Sequence, residues 1–98
     1  MTTSSSDGEE GLGELLAMYA SEMPARIESI RKAVATNNRE QLKRLFHQLV
    51  GSAGSYGFDS LSVEARKVEL ALGANASIDD LLSDIDAVLR LCERVIAK

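Results

Sequence analysis

The residue types best suited to chemistry are gathered in one stretch, His47 to Phe58, H-Q-L-V-G-S-A-G-S-Y-G-F. His47 is the only histidine of the 98-residue chain, and imidazole is the side chain that offers a basic, nucleophilic nitrogen near neutral pH. Gly51, Gly54 and Gly57 follow it, with Ser52 and Ser55 between them. A glycine inside a helix costs roughly 1 kcal/mol relative to alanine. Two on the histidine's own face therefore point to something that must approach the backbone closely. The plainer alternative stands beside this one: a lone histidine at the edge of an apolar stripe is often structural, and Gly57 has the place of a helix cap.

Other chemistries find no support. There is no G-x-x-x-x-G-K-[ST] phosphate loop, and the aspartates are scattered over the start of the chain and the helix starts. One histidine and one cysteine, Cys92, far apart in sequence, do not make a standard zinc site. Ser52 and Ser55 share the histidine's own helix, which disfavours a serine triad.

The elements that must position His47 are helical. Leu42, Leu45, Phe46 and Leu49 recur at three- and four-residue spacing and predict one buried helix face. At about 100° per residue, Lys43, Val50, Gly51 and Gly54 fall on the histidine's side, with Arg44 about 60° away on the opposite flank. Ser52 falls roughly 140° round the wheel, facing a neighbouring helix or its own backbone. Asn38 with Gln41 suggests a capping box for a helix running to about Ser55. Asp59 or Ser60 is the expected cap of the next helix, with Leu61, Ala65, Val68 and Leu72 buried and Gly73 as its stop. Ser77 with Asp80 opens a last helix along Ile78, Leu81, Leu82, Ile85, Leu89, Cys92, Val95 and Ile96.

Upstream, Leu12, Leu15, Leu16, Tyr19 and Met23 predict a short first helix ending near Ser21. Pro24, the only proline, suits the first turn of a second helix with the stripe Ile27, Ile30 and Val34. No stretch alternates with period two. The expected fold class is all-α: an antiparallel up-and-down four-helix bundle with a short additional N-terminal helix. Residues 1–8, rich in Ser and Thr with little to bury, read as a disordered tail or linker, and residues 9–98 as the domain.

Antiparallel helices turning near residue 57 bring residues 66–70 opposite His47. Glu69, beside Val68 at the apolar edge, is the best-placed polar group. A carboxylate accepting a hydrogen bond from Nδ1–H would fix the tautomer and leave Nε2 as the nucleophile. The competing picture is a solvated glutamate paired with Lys67 or Arg66.

The stretch resembles the phosphoacceptor motif of histidine-containing phosphotransfer (HPt) domains, H-x-L-K-G-[SA]-[SA]-x-x-x-G: His47, Leu49, Gly51, Ser52, Ala53 and Gly57 fall in place. The flanks extend the likeness from about residue 12 to the C-terminus, through an L-L-x-x-Y segment before it and a helix with a V-E pair after it. The resemblance implies that His47 accepts a phosphoryl group from the aspartate of a receiver domain and passes it to another receiver aspartate, and that Glu69 orients the ring. It implies no cofactor of the domain's own, Mg²⁺ being expected only in the partner receiver, and a phosphocarrier rather than an enzyme. The partners it implies are response-regulator receivers and a sensor or hybrid histidine kinase. The one departure is Val50, where the family has a lysine that helps neutralise the phosphoryl group; Lys43, or Arg44, is the expected replacement. Docking is expected on the apolar surface beside the histidine, with Val50, Gly51, Gly54 and residues of the first helix such as Leu15 or Tyr19. Two further readings fit the same residues: the phosphoacceptor module of a chemotaxis-type histidine kinase, and a degenerate helical interaction module in which His47 is structural.

A net charge of −4, without a basic stripe, argues against nucleic acid as a partner. The single cysteine excludes an intramolecular disulfide. No run approaches the length of a membrane span and no signal-like start is present. A monomer in the cytoplasm, without membrane association, is the expectation.

Overall fold

The computed structural model describes residues 3–97, and side chains from residue 13 to residue 96. Four helices follow in order: α1 Thr3–Ala35, α2 Arg39–Ser55, α3 Asp59–Gly73 and α4 Leu82–Ala97, the last preceded by a 3₁₀ turn at Asp79–Leu81. No strand occurs among the described residues. Each helix packs against its neighbours in the ring α1–α2–α3–α4–α1. The pairings run antiparallel: the end of α1 meets the start of α4 around Val34, Leu82 and Ile85, while Leu16 and Ala20 meet Val95.

The expected short N-terminal helix, separate from one beginning at Pro24, is replaced by a single helix of 33 residues with Pro24 inside it. A proline in a helix interior forfeits a hydrogen bond to the carbonyl four residues back and costs about 3 kcal/mol. Packing offsets that loss here. Tyr19, Met23, Ile27 and Ile30, spaced 4, 4 and 3, are all buried on one continuous face, and Pro24 sits exposed on the other side. Either a break or a new cap would have torn that stripe in two. Residues 3–8 of the expected tail are the first residues of α1; the side chains of residues 1–12, the whole of the expected tail among them, lie outside the described residues.

The turns are made by one device three times. Phe58 N–H donates to the Ala53 carbonyl at 2.8 Å and Gly57 N–H to the Gly54 carbonyl at 3.2 Å, with Gly57 at φ 84°; this is the Schellman ending. The same pair of bonds closes α1 on Asn37 (φ 52°) and α3 on Asn75 (φ 70°). Asparagine is the residue after glycine that best tolerates the left-handed region. Gly73 is therefore not the stop of α3 but its last helical residue. Asn38 caps α2 as expected, its Oδ1 accepting from Gln41 N–H at 3.2 Å. Neither Asp59 nor Ser60 caps α3: Phe58 holds the N-cap position without a side-chain bond.

The core joins all four helices. Phe46, Met23, Ile30, Leu42, Leu49, Leu72, Val68, Val88 and Cys92 are fully buried, and no polar or charged residue is buried among the described side chains. All four positions expected to be buried on α3 are so, whereas Leu82 and Ile96 of the α4 stripe are exposed.

Candidate functional site

The outer seam between α2 and α3 carries the site. Its register is set where the two backbones come closest to the turn. A Cβ on Gly54 would lie 3.4 Å from Ser62 Oγ, and that hydroxyl donates to the Val50 carbonyl at 2.9 Å. From this rung the register continues in step: His47 opposes Glu69, and Lys43 opposes Gly73, its Nζ 3.9 Å from where a Gly73 Cβ would stand. At the far end the Arg39 guanidinium donates to the Leu72 carbonyl at 2.6 Å, a second donor to an oxygen that already accepts from Asn75 N–H at 3.2 Å.

The His47 side chain is 76% exposed and Glu69 only 20%. His47 Nδ1 lies 2.6 Å from Glu69 Oε2. An ionised carboxylate has lone pairs only, so Nδ1 carries the proton and donates it. This defines the tautomer: Nε2 presents its lone pair outward, with no hydrogen-bond partner among the described residues. The geometry agrees with the expected pairing and not with the alternative, because Lys67 is engaged by Glu64 at 3.0 Å instead.

Behind the ring, α2 is pinned to α1. Tyr19 Oη and Ser52 Oγ share a hydrogen bond of 2.8 Å, and Ser52 also donates to the Leu49 carbonyl at 3.3 Å. Tyr19 stacks on Tyr56 and Phe58, with centroids at 4.6 and 5.7 Å, and Arg26 covers its ring at 5.4 Å. Burial pushes the Tyr19 hydroxyl above its ordinary pKa, the Ser52 bond working the other way. Tyr19, 2% exposed, is therefore unavailable as a docking residue, a correction to that expectation. Leu15 remains exposed.

Two shallow depressions flank the imidazole and share Lys43, His47 and Glu69 as a common wall. One extends toward the start of α2 and adds Arg39, Glu40 and Arg44. The other extends toward the turn and adds Val50, Gly51, Arg66 and Leu70. Lys43, Arg44 and Arg66 thus line the two depressions beside the ring, with Arg39 at the far end, in a chain of net charge −4. Of the residues expected at the site, Lys43, Arg44, Val50, Gly51 and Glu69 are brought together with His47. Gly54 is not: it serves the approach of α3, while open space surrounds Gly51. Ser62 escaped the sequence reading; Arg66 and Leu70 fell within the stretch 66–70 expected opposite His47, but Arg66 was read only as a surface partner of Glu69, although counting back from the turn puts it opposite Val50.

Among the described residues, no group of three or more His, Cys, Asp or Glu side chains could hold a metal ion, and no helix is long and apolar enough to cross a membrane.

The model of the Hpt domain family matches residues 14–98. The fold is similar to that of the HPT domain from an Hpt sensor hybrid histidine kinase of Shewanella, with a TM-score of 0.82 and 23% identity over 98% of this chain and 81% of the other. No curated protein matches the chain.

Proposed function

The chain belongs to the Hpt domain family, the phosphotransfer modules of two-component signalling that work with receiver domains and histidine kinases, and on that premise we propose that it is a phosphorelay intermediate with His47 as its phosphoacceptor. The observation that carries this reading is the single exposed imidazole whose Nδ1–H is committed to Glu69 at 2.6 Å.

In the proposed step, His47 Nε2 attacks the phosphorus of a receiver's aspartyl phosphate in line. The N–P bond forms as the acyl P–O bond breaks, and the aspartate leaves as its carboxylate. The Nδ1 proton stays on the ring, and the Glu69 carboxylate stabilises the positive charge that the imidazole gains. The reverse sequence delivers the phosphoryl group to the aspartate of another receiver. Lys43 and Arg44 offset the phosphoryl charge, and Gly51 lets the partner's loops come close beside Val50. The receiver supplies the Mg²⁺; this domain acts as a carrier with no nucleotide or metal site of its own. A cytoplasmic monomer completes the reading.

The decisive experiment is transfer of labelled phosphoryl from a phosphorylated receiver to wild type and to His47→Gln. Acid-labile, base-stable label on wild type alone is expected. A well-folded wild type that no receiver labels would instead favour a non-phosphorylated interaction module.

A further inference from the structure

Val50 leaves a gap in the charge pattern, and the seam register indicates what faces it. Between the rung His47–Glu69 and the rung Gly54–Ser62 there is one more level. It lies three residues after His47 on α2 and three before Glu69 on α3, and it pairs Val50 with Arg66. The two line the same depression as His47. The backbone of Val50 is itself tied to α3, through the Ser62 hydroxyl on its carbonyl at 2.9 Å, so α3 is held close at this level.

Arg66 is exposed and forms no ion pair among the described residues, whereas its neighbour Lys67 is engaged by Glu64. The valine side chain is short. An arginine stem can lie along it and carry its charged head toward the ring, as long cationic side chains do over apolar ground. Lys43 stands one turn before the imidazole on α2, its ammonium beside Gly73; Arg66 stands on α3 at the level of Val50, on the other side of His47 in the same depression. A guanidinium also offers two parallel N–H donors matched to two phosphoryl oxygens, which an ammonium does not.

We propose that Arg66 of α3 takes the charge-neutralising place that Val50 leaves open on α2, binding the oxygens of a phosphoryl group carried on His47 Nε2. This rests on the phosphoacceptor reading of His47. The cation has in effect moved across the seam from one helix to the other.

The test uses phosphoramidate as donor, which gives its phosphoryl group to His47 Nε2 as its own P–N bond breaks and ammonia leaves, so no receiver is needed. Titration of the phosphohistidine by ³¹P NMR then reads the charge beside the phosphoryl group. Arg66→Gln is expected to raise its apparent pKa by roughly a few tenths of a pH unit, the size of one solvent-exposed charge interaction. Adding Val50→Lys to that variant is expected to restore the wild-type value. Lys67→Gln, the same change of charge one residue along, is expected to leave it unmoved. If Arg66→Gln titrates like wild type, or Lys67→Gln shifts as far, the assignment of Arg66 is overturned while His47 stands. A wild type that takes no phosphoryl group overturns both.

Discussion

Glu69 Oε2 lies 2.6 Å from Nδ1 of His47, across the seam from α3 to α2, and the glutamate is the half-buried partner of an exposed ring. The carboxylate therefore decides which ring nitrogen faces the solvent. Glu69→Ala is expected to release the ring to mixed tautomers and to slow phosphoryl transfer about tenfold, in the range seen when an orienting partner is lost. Glu69→Gln keeps an acceptor and should lose less. The ¹⁵N shifts of His47 report the tautomer directly. An alanine variant that keeps the Nδ1–H form and full transfer speed would show that Glu69 does not orient the ring.

Gly51 separates stability from function. A Cβ there meets nothing within 4 Å, and the position is in a helix interior. Gly51→Ala should therefore stabilise the fold by about 0.5–1 kcal/mol, measured by urea denaturation. If a receiver must approach this backbone, the same variant will transfer phosphoryl more slowly despite its greater stability. Stabilisation with unimpaired transfer would remove Gly51 from the docking surface.

How much of this was legible in the sequence depends on the range of the physics involved. The Asn38 cap, the buried faces of α2 and α3 and the level of Glu69 all follow from local periodicity and one turn of known position, and the structure has them. Pro24 was misjudged because its local cost is visible in the sequence, while the stripe from Tyr19 to Ile30 that offsets it becomes decisive only when α4 and α2 are packed against it. Tyr19 was misassigned for a related reason. Helical spacing marks it as apolar-faced, but only the three-dimensional meeting with Ser52, Tyr56 and Phe58 buries it. Gly54 and Ser62 form a contact between helices, and a single helical wheel cannot distinguish a glycine kept small for a partner protein from one kept small for the next helix.

Tyr19→Phe tests that the aromatic cluster is structural. It removes the hydroxyl that Ser52 shares at 2.8 Å and keeps the ring stack. Ser52 retains its bond to the Leu49 carbonyl, so no buried group is stranded, and the expected loss is about 0.5–1 kcal/mol. Transfer through His47 should be unchanged. A large drop in transfer at unchanged stability would return Tyr19 to the functional surface.

Gly57 supplies the positive φ on which the α2–α3 turn depends, at 84°. A Cβ there meets no neighbour, so the cost of Gly57→Ala is one of backbone conformation, about 1–2 kcal/mol. Gly57→Asn should cost less than alanine, because asparagine tolerates the left-handed region that Asn37 and Asn75 already occupy at the other two turns. Denaturation midpoints that rank alanine above asparagine would contradict this account of the turn.

Cys92 gives the fold a dependence on alkaline pH whose sign is fixed. It is fully buried in α4, and burial pushes its thiol from an ordinary value of 9.0 up to about 11. Below pH 9 the thiol is neutral in both folded and unfolded chains, and its contribution to stability is fully present. Between pH 9 and about 11 the unfolded thiol ionises while the folded one does not. Unfolding then releases a proton, and stability falls as pH rises, by at most about 1.4 kcal/mol per pH unit for one group. Above about 11 the loss levels off. Lysines and tyrosines titrate in the same window, so the informative quantity is the stability of wild type minus that of Cys92→Ala. This difference should be constant up to pH 9 and shrink from there to about pH 11. Because the thiolate is the reactive form, iodoacetamide at pH 8 should label the folded protein far more slowly than the unfolded chain. Equal labelling rates, with a difference in stability that ignores pH, would mean that the thiol is not held neutral by the core.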